Sequence, residues 1–125
     1  MSQATPLISN LETYLRLTES REKAISANMA NIDTPGYQTK DINFDDEMKR
    51  AMSGTLSQTA DGEGSAQFNP VAQEVSGLME RPDGNNVSLD REGLLMSETQ
   101  LQYQIGIQLI KHQFHQILSA ISGGS

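Results

Sequence analysis

Ala27-Asn28-Met29-Ala30-Asn31-Ile32-Asp33-Thr34-Pro35-Gly36-Tyr37 is the stretch whose reading decides the fold. Pro35 has no backbone N–H and holds φ near −65°, so no helix runs through it, and Thr34 before it is pushed out of the helical region. Pro-Gly is the favoured central pair of a type II turn, with Gly36 supplying the positive φ. The chain is therefore expected to arrive as a helix, break near Asp33 and Thr34, and turn. Asn28 and Asn31 lie three apart on one face of the last helical turn, where their amides can bond backbone groups the turn leaves unpaired.

Upstream of this break, Ile8, Leu11, Leu15, Thr18, Glu22, Ile25, Met29 and Ile32 alternate steps of three and four, the rhythm of a coiled-coil seam. This predicts a helix over 7–33. Thr18 and Glu22 interrupt its apolar line, so that part should pack weakly or meet a polar partner. Glu12 with Arg16 and Glu19 with Lys23 are i,i+4 pairs suited to a solvated flank. Downstream, residues 37–42 read as extended, and Asn43 as an N-cap with Asp45, Asp46 and Glu47 in the first turn of a short helix. Ser53-Gly54 is expected to end it, which gives a turn-and-helix unit over 34–53.

Periodicity then fades. Residues 54–82 are rich in Gly, Ser and Gln, with scattered Leu56, Phe68, Val71, Val75 and Leu78. They read as a flexible connection; the alternative is a short ribbon around 68–75 that orders against a neighbour. Pro82-Asp83-Gly84-Asn85-Asn86 is a second dense turn signal. Val87-Ser88-Leu89 reads as a minimal strand and Asp90 as the N-cap of a second long helix over 90–122. There Tyr103, Ile107, Ile110, Phe114, Ile117 and Ile121 form a heptad seam, with Leu101, Ile105 and Leu109 as a second stripe beside it. Gly106 costs about 1 kcal/mol in a helix interior, which suits a place where another helix approaches closely. The polar side carries many Gln, and beyond Leu94 its only formal charges are Glu98 and Lys111. A helix so poor in charge is expected to be packed on more than one side, and that points to assembly.

The fold expected is mainly α within one unit over 1–125: two long terminal helices paired as an antiparallel, coiled-coil-like hairpin, a short helix after the Pro-Gly turn, and a flexible or weakly β middle. The chain has 125 residues, 36% hydrophobic and 5% aromatic, so its core is small. A net charge of −7 argues against nucleic-acid backbones as partners. Without Cys there is no disulfide framework and no thiolate metal site. The first residues lack a basic, apolar leader, and no 18-residue apolar run follows, so neither a cleaved signal nor a membrane span is expected.

Three patterns that mimic chemistry are set aside. His112 and His115 lie at i,i+3 but have no carboxylate near them in sequence. Asp83-Gly84-Asn85-Asn86-Val87 puts Val87 where a calcium loop needs an oxygen. Asp90, Arg91 and Glu92 read as capping charges on a solvated helix start. No catalytic, metal or cofactor site is expected, nor a small-molecule substrate.

Residues 27–37 resemble the N-terminal signature of bacterial flagellar rod and hook proteins. Gly84-Asn85-Asn86-Val87-Ser88-Leu89-Asp90-Arg91-Glu92 is similar to the segment before the last helix of proximal rod subunits. The likeness covers residues 7–53 and 82–123. Distal rod and hook proteins carry a large middle domain and end in a Gln-Arg-Ala-Tyr-Gln-Ala-Asn type of motif. Here Leu101-Gln102-Tyr103-Gln104-Ile105 stands in its place. The other short rod class keeps Arg-Ala-Tyr-Glu-Ala-Asn, which is also absent.

The resemblance implies a structural subunit of the basal-body rod that polymerises through its terminal helices into a torque-bearing shaft around the export channel. It also implies type III export without a cleaved signal and a place spanning the periplasm. Implied partners are other copies, other rod subunits, a rod-base adaptor, and membrane-ring or export-gate proteins. Asn28, Ala30, Asn31, Thr34, Pro35, Gly36 and Tyr37 become family-motif and turn residues, and the resemblance makes Asn28 and Asn31 candidates for contacts between subunits. Ile8, Leu11, Leu15, Ile25, Met29 and Ile32 become assembly seams, together with Tyr103, Ile107, Ile110, Phe114, Ile117 and Ile121. The competing reading from another class is a free helical adaptor or export-chaperone-like binding module.

Overall fold

Two long helices lie side by side in opposite directions, and the turn of residues 31–39 sits at one end of the pair. A computed structural model describes residues 4–61 and 69–123, with side chains for 6–53 and 69–123. The order is α1 (Ala4–Ala30), β1 (Lys40–Ile42), α2 (Phe44–Asp61), β2 (Ala72–Glu74) and α3 (Leu89–Gly123). The mainly helical architecture matches the expectation.

The antiparallel sense of α1 and α3 follows from two contacts. Asn28 near the end of α1 donates to Glu92 at the start of α3 (2.8 Å). Gly106, farther along α3, lies over Tyr14 and Leu15: a Cβ built there would stand 2.7 Å from Leu15 Cδ2 and 3.1 Å from the Tyr14 ring. The close approach expected at Gly106 is therefore present. The most deeply buried positions of α3 are Glu92, Thr99 and Gly106, one every seven residues, which is the line of contact.

Several boundaries differ from expectation. α1 ends at Ala30 rather than Asp33, because i→i+3 bonds replace the helical pattern: Ile32 N–H donates to the Met29 carbonyl and Thr34 N–H to that of Asn31. Ile32 therefore lies in the turn and not on the helix. α2 continues through Ser53 and Gly54 to Asp61. A single glycine weakens a helix by about 1 kcal/mol but ends it only where the backbone turns left-handed.

Val87-Ser88-Leu89 is not a strand. Val87 N–H donates to Asn85 Oδ1 (2.8 Å), and Ser88 starts the helix. Ser88, not Asp90, is the N-cap: its hydroxyl accepts from Arg91 N–H (3.2 Å) and its carbonyl from Glu92 N–H (2.9 Å). The Asn43 cap is present as expected, with Oδ1 accepting from Asp46 N–H (3.2 Å).

The connection expected to be flexible over 54–82 is ordered in part. β2 pairs antiparallel with β1, Lys40 opposite Glu74 and Ile42 opposite Ala72. Val75 N–H extends the ladder to the Thr39 carbonyl (2.9 Å). The ribbon alternative thus holds in place, with this chain's own β1 as its neighbour; Phe68 lies outside the described residues.

The core is small. Leu17, Ala24, Ile25, Ile42 and Val87 are its buried apolar residues. Leu17 lies off the expected seam, and Thr18, expected to pack weakly or meet a polar partner, is fully buried with its hydroxyl on the Leu15 carbonyl (2.7 Å). α1 meets α3 on one side and β1 and α2 on another, so its buried arc is wider than a two-helix seam. The Tyr14 and Phe44 rings meet edge to face at 5.4 Å, tying α2 to α1. Arg21 and Asp41 form a paired ion bridge at 2.9 and 3.0 Å, tying β1 to α1.

Candidate functional site

The two turn segments singled out in the sequence, 31–39 and 81–87, are bonded to each other. Pro35-Gly36 forms the expected turn: Tyr37 N–H donates to the Thr34 carbonyl (3.2 Å) and Gly36 has φ +78°. Gly84, also left-handed at φ +86°, lies so close that its Cβ would stand 3.4 Å from Gly36 Cα. Gly36 N–H donates to the Asp83 carbonyl (2.9 Å).

Asn85 is buried, and its amide donates to the carbonyls of both Asn31 and Thr34 (2.9 Å each), which also accept the turn's own N–H groups. Asn86 Oδ1 accepts from Thr39 N–H (2.7 Å), and its amide donates to Gln38 (3.0 Å). Arg81 reaches across to donate to the carbonyls of Ile32 and Val87. Asn31 and Thr34 also bond within the turn: the Asn31 amide donates to the Ala27 carbonyl (2.8 Å) and the Thr34 hydroxyl to Asn31 Oδ1 (2.9 Å). Ala30 and Pro35 are exposed on the rim.

Beneath this clasp sits a buried polar knot. Asn28 is fully buried. Its Nδ2 donates to the Lys40 carbonyl and to Glu92 Oε1 (2.8 Å each), and its Oδ1 accepts from Lys40 N–H and the Tyr37 hydroxyl (3.0 Å each). Asn28 therefore braces one chain internally. Glu92, expected on a solvated helix start, is also fully buried, with Oε2 accepting from Arg91 (2.8 Å). It sits in the first turn of α3 facing α1, with the Asn28 amide and the Arg91 guanidinium donating to its two oxygens. Burial, and next the Glu92 charge, raise the Tyr37 pKa above its ordinary value. Sequence reasoning missed Glu92 and Asn85; an uncapped Asn-Asn pair beside a Gly, facing a Pro-Gly turn, was the available signal.

Of the seam residues, Ile25 is buried, while Ile8, Leu11, Leu15, Met29, Ile32, Tyr103, Ile107, Ile110 and Ile117 are half-buried. Phe114 and Ile121 are 51% and 64% exposed. With Gly106 over Tyr14 and Leu15, the antiparallel register carries Ile121 past the first described turn of α1, so it has no α1 surface to cover it. The second stripe is open: Leu101, Ile105 and Leu109 border a shallow groove of about 450 Å³ on the outer face of α3. His112 and His115 lie exposed beyond it. No described helix is long and apolar enough to cross a membrane.

No protein-family model matches the sequence. Curated proteins do. The chain is 31% identical over 123 residues to the flagellar basal body rod protein FlgB of Salmonella typhimurium, covering 89% of each. It is 27% identical over 130 residues to that of Bacillus subtilis, covering 99% of each. The FlgB of Cereibacter sphaeroides matches at 31% over 114 residues, 87% of this chain and 88% of the relative. Likeness at this level over nearly the whole length makes this chain a member of the FlgB family of flagellar basal-body rod proteins.

Proposed function

We infer that the chain serves the flagellar basal-body rod as a structural subunit, with its clasp fixing the two long helices in register and the outer face of α3 joining neighbours. The observation that carries this reading is the open row on α3. Leu94, Leu101, Ile105 and Leu109 are 47–66% exposed, although the opposite face of the helix packs on α1. A contiguous apolar stripe of this kind marks an interaction surface. The neighbouring side chains are mainly Gln, which can be buried at low cost when hydrogen-bonded.

In this reading the subunits polymerise around the export channel and carry motor torque across the periplasm. They meet other copies and rod subunits along the shaft, and a rod-base adaptor with membrane-ring or export-gate proteins at its foot. The small apolar core supports passage through the type III export path without a cleaved signal, since little must be unfolded and reburied. The role is mechanical rather than catalytic. Every functional-looking polar group of the knot is engaged within the chain.

The test is a paired substitution, Ile105→Asp with Leu109→Asp. Both side chains are about half exposed, so the isolated chain should lose less than about 1 kcal/mol. Incorporation into purified basal bodies and motility should nevertheless be abolished. Normal rods containing the substituted chain would overturn the reading. A wild-type chain that is never recovered in basal bodies would favour the free adaptor instead.

A further inference from the structure

Met79 is 91% exposed, the most exposed large apolar side chain among the described residues. It follows Gly77, which has φ +84° and would meet nothing within 4 Å if given a Cβ. That glycine is therefore not there for packing. It permits the left-handed turn after which Leu78 stays half-buried and Met79 projects, just before the clasp.

The chain also carries a receptor of matching chemistry. The groove beside Leu101, Ile105 and Leu109 is uncharged and apolar, with Gln104 and Gln108 on its flank. Its centre lies about 24 Å along α3 from Leu89 at 1.5 Å per residue, so the Met79 loop, held at the clasp end, does not serve its own groove. A knob at one end of a chain and a hole farther along it make a head-to-tail contact. Such a heterologous contact repeats as an open helix where its rotation does not close, the geometry an axial polymer uses. Methionine is suited to filling a shallow irregular groove.

Charge completes the match. Lys111 lies three residues beyond Gln108 and four beyond Ile107, on the lip of the groove. It is the only cation on α3 after Arg91. Glu80 directly follows Met79. Among the described residues neither Lys111 nor Glu80 has an ion-pair partner within the chain.

We propose that Met79 of one copy seats in the α3 groove of a second copy, with Glu80 pairing to Lys111 at its lip. This rests on the reading of α3 as an assembly face and names what covers it. The occupant is a second copy because knob, groove, anion and cation are all present, and all unsatisfied, on this one chain.

Photo-crosslinking within intact basal bodies tests the proposal, with Met79→benzoylphenylalanine as the only copy of the chain in the cell. The expected adduct joins position 79 to a peptide spanning residues 101–111 of another copy, identified by mass spectrometry. An adduct to another rod component, to any other peptide, or none at all would overturn it. Charge reversal is the independent arm. Glu80→Lys and Lys111→Glu should each reduce incorporation about fivefold, the scale of a partly exposed ion pair, and together restore it. Failure of the double substitution to restore incorporation would also overturn the proposal. If Ile105→Asp with Leu109→Asp still blocks assembly while the position-79 adduct is missing, the assembly face stands and this occupant falls.

Discussion

Asn28 shows how one side chain joins three segments. Its four hydrogen bonds reach β1, Tyr37 and the first turn of α3, all without exposure to water. Asn28→Ala would strand a backbone N–H and a buried carboxylate oxygen, which should cost about 2–4 kcal/mol in urea denaturation. Asn28→Asp keeps one acceptor but faces Glu92 with a second carboxylate. It should cost more at pH 7 and recover in part as the pH falls toward about 4, where an ordinary Asp protonates.

Tyr37 adds an alkaline limb. Its pKa is raised by burial and then by Glu92, so the folded state holds its proton more tightly than the unfolded chain does. The associated stability is complete below the ordinary tyrosine pKa near 10 and is lost as pH climbs through and above it. Tyr14, raised by burial, contributes in the same direction. Tyr37→Phe should lose about 1 kcal/mol at neutral pH, from the bond to Asn28, and show a shallower decline above pH 10 than the parent. An unchanged alkaline slope would place that decline elsewhere.

At the scale of elements, two glycines test the account of turn and crossing. A Cβ on Gly36 meets nothing within 4 Å, so substitution there is penalised by the backbone alone. Gly36→Ala should cost about 1–2 kcal/mol, and Gly36→Val more, measured by thermal unfolding. Gly106 is the opposite case, with an ordinary helical backbone but Leu15 Cδ2 2.7 Å from an added Cβ. The end of a leucine can shift, and helix propensity returns about 1 kcal/mol, so Gly106→Ala should be nearly neutral. Gly106→Leu should cost about 1–3 kcal/mol by forcing α3 off Tyr14, which is itself held against Phe44.

The helices, the Pro-Gly turn and the Asn43 cap were legible because each is set by residues within a turn or two of one another. The knot was not, since Asn28 and Glu92 lie 64 residues apart in sequence. A Glu beside an Arg and an Asp reads as solvated until the facing helix is known. Leu17 escaped the seam for a related reason: heptad counting assumes one partner, whereas α1 has three.

For the whole molecule, the unequal distribution of burial along α3 decides how the subunit behaves before and after assembly. Its buried residues all lie at or before Gly106, while Phe114, Leu118 and Ile121 are more than half exposed. A helix segment with little tertiary packing is marginal in water at this length, because most helical stability in proteins comes from a buried face. The knot and clasp therefore anchor α3 at its start, and its last turns rely on their own propensity. Hydrogen exchange on the isolated chain should show slow amides over residues 18–28 and 92–106. Exchange beyond residue 110 should be at least about tenfold faster, equivalent to a local opening easier by about 1.4 kcal/mol. In intact basal bodies the same last turns should become as protected as the first, because neighbours would then bury Phe114, Leu118 and Ile121. Uniform protection along α3 in the isolated chain would mean that its end is stable alone, and that assembly does not supply the missing packing.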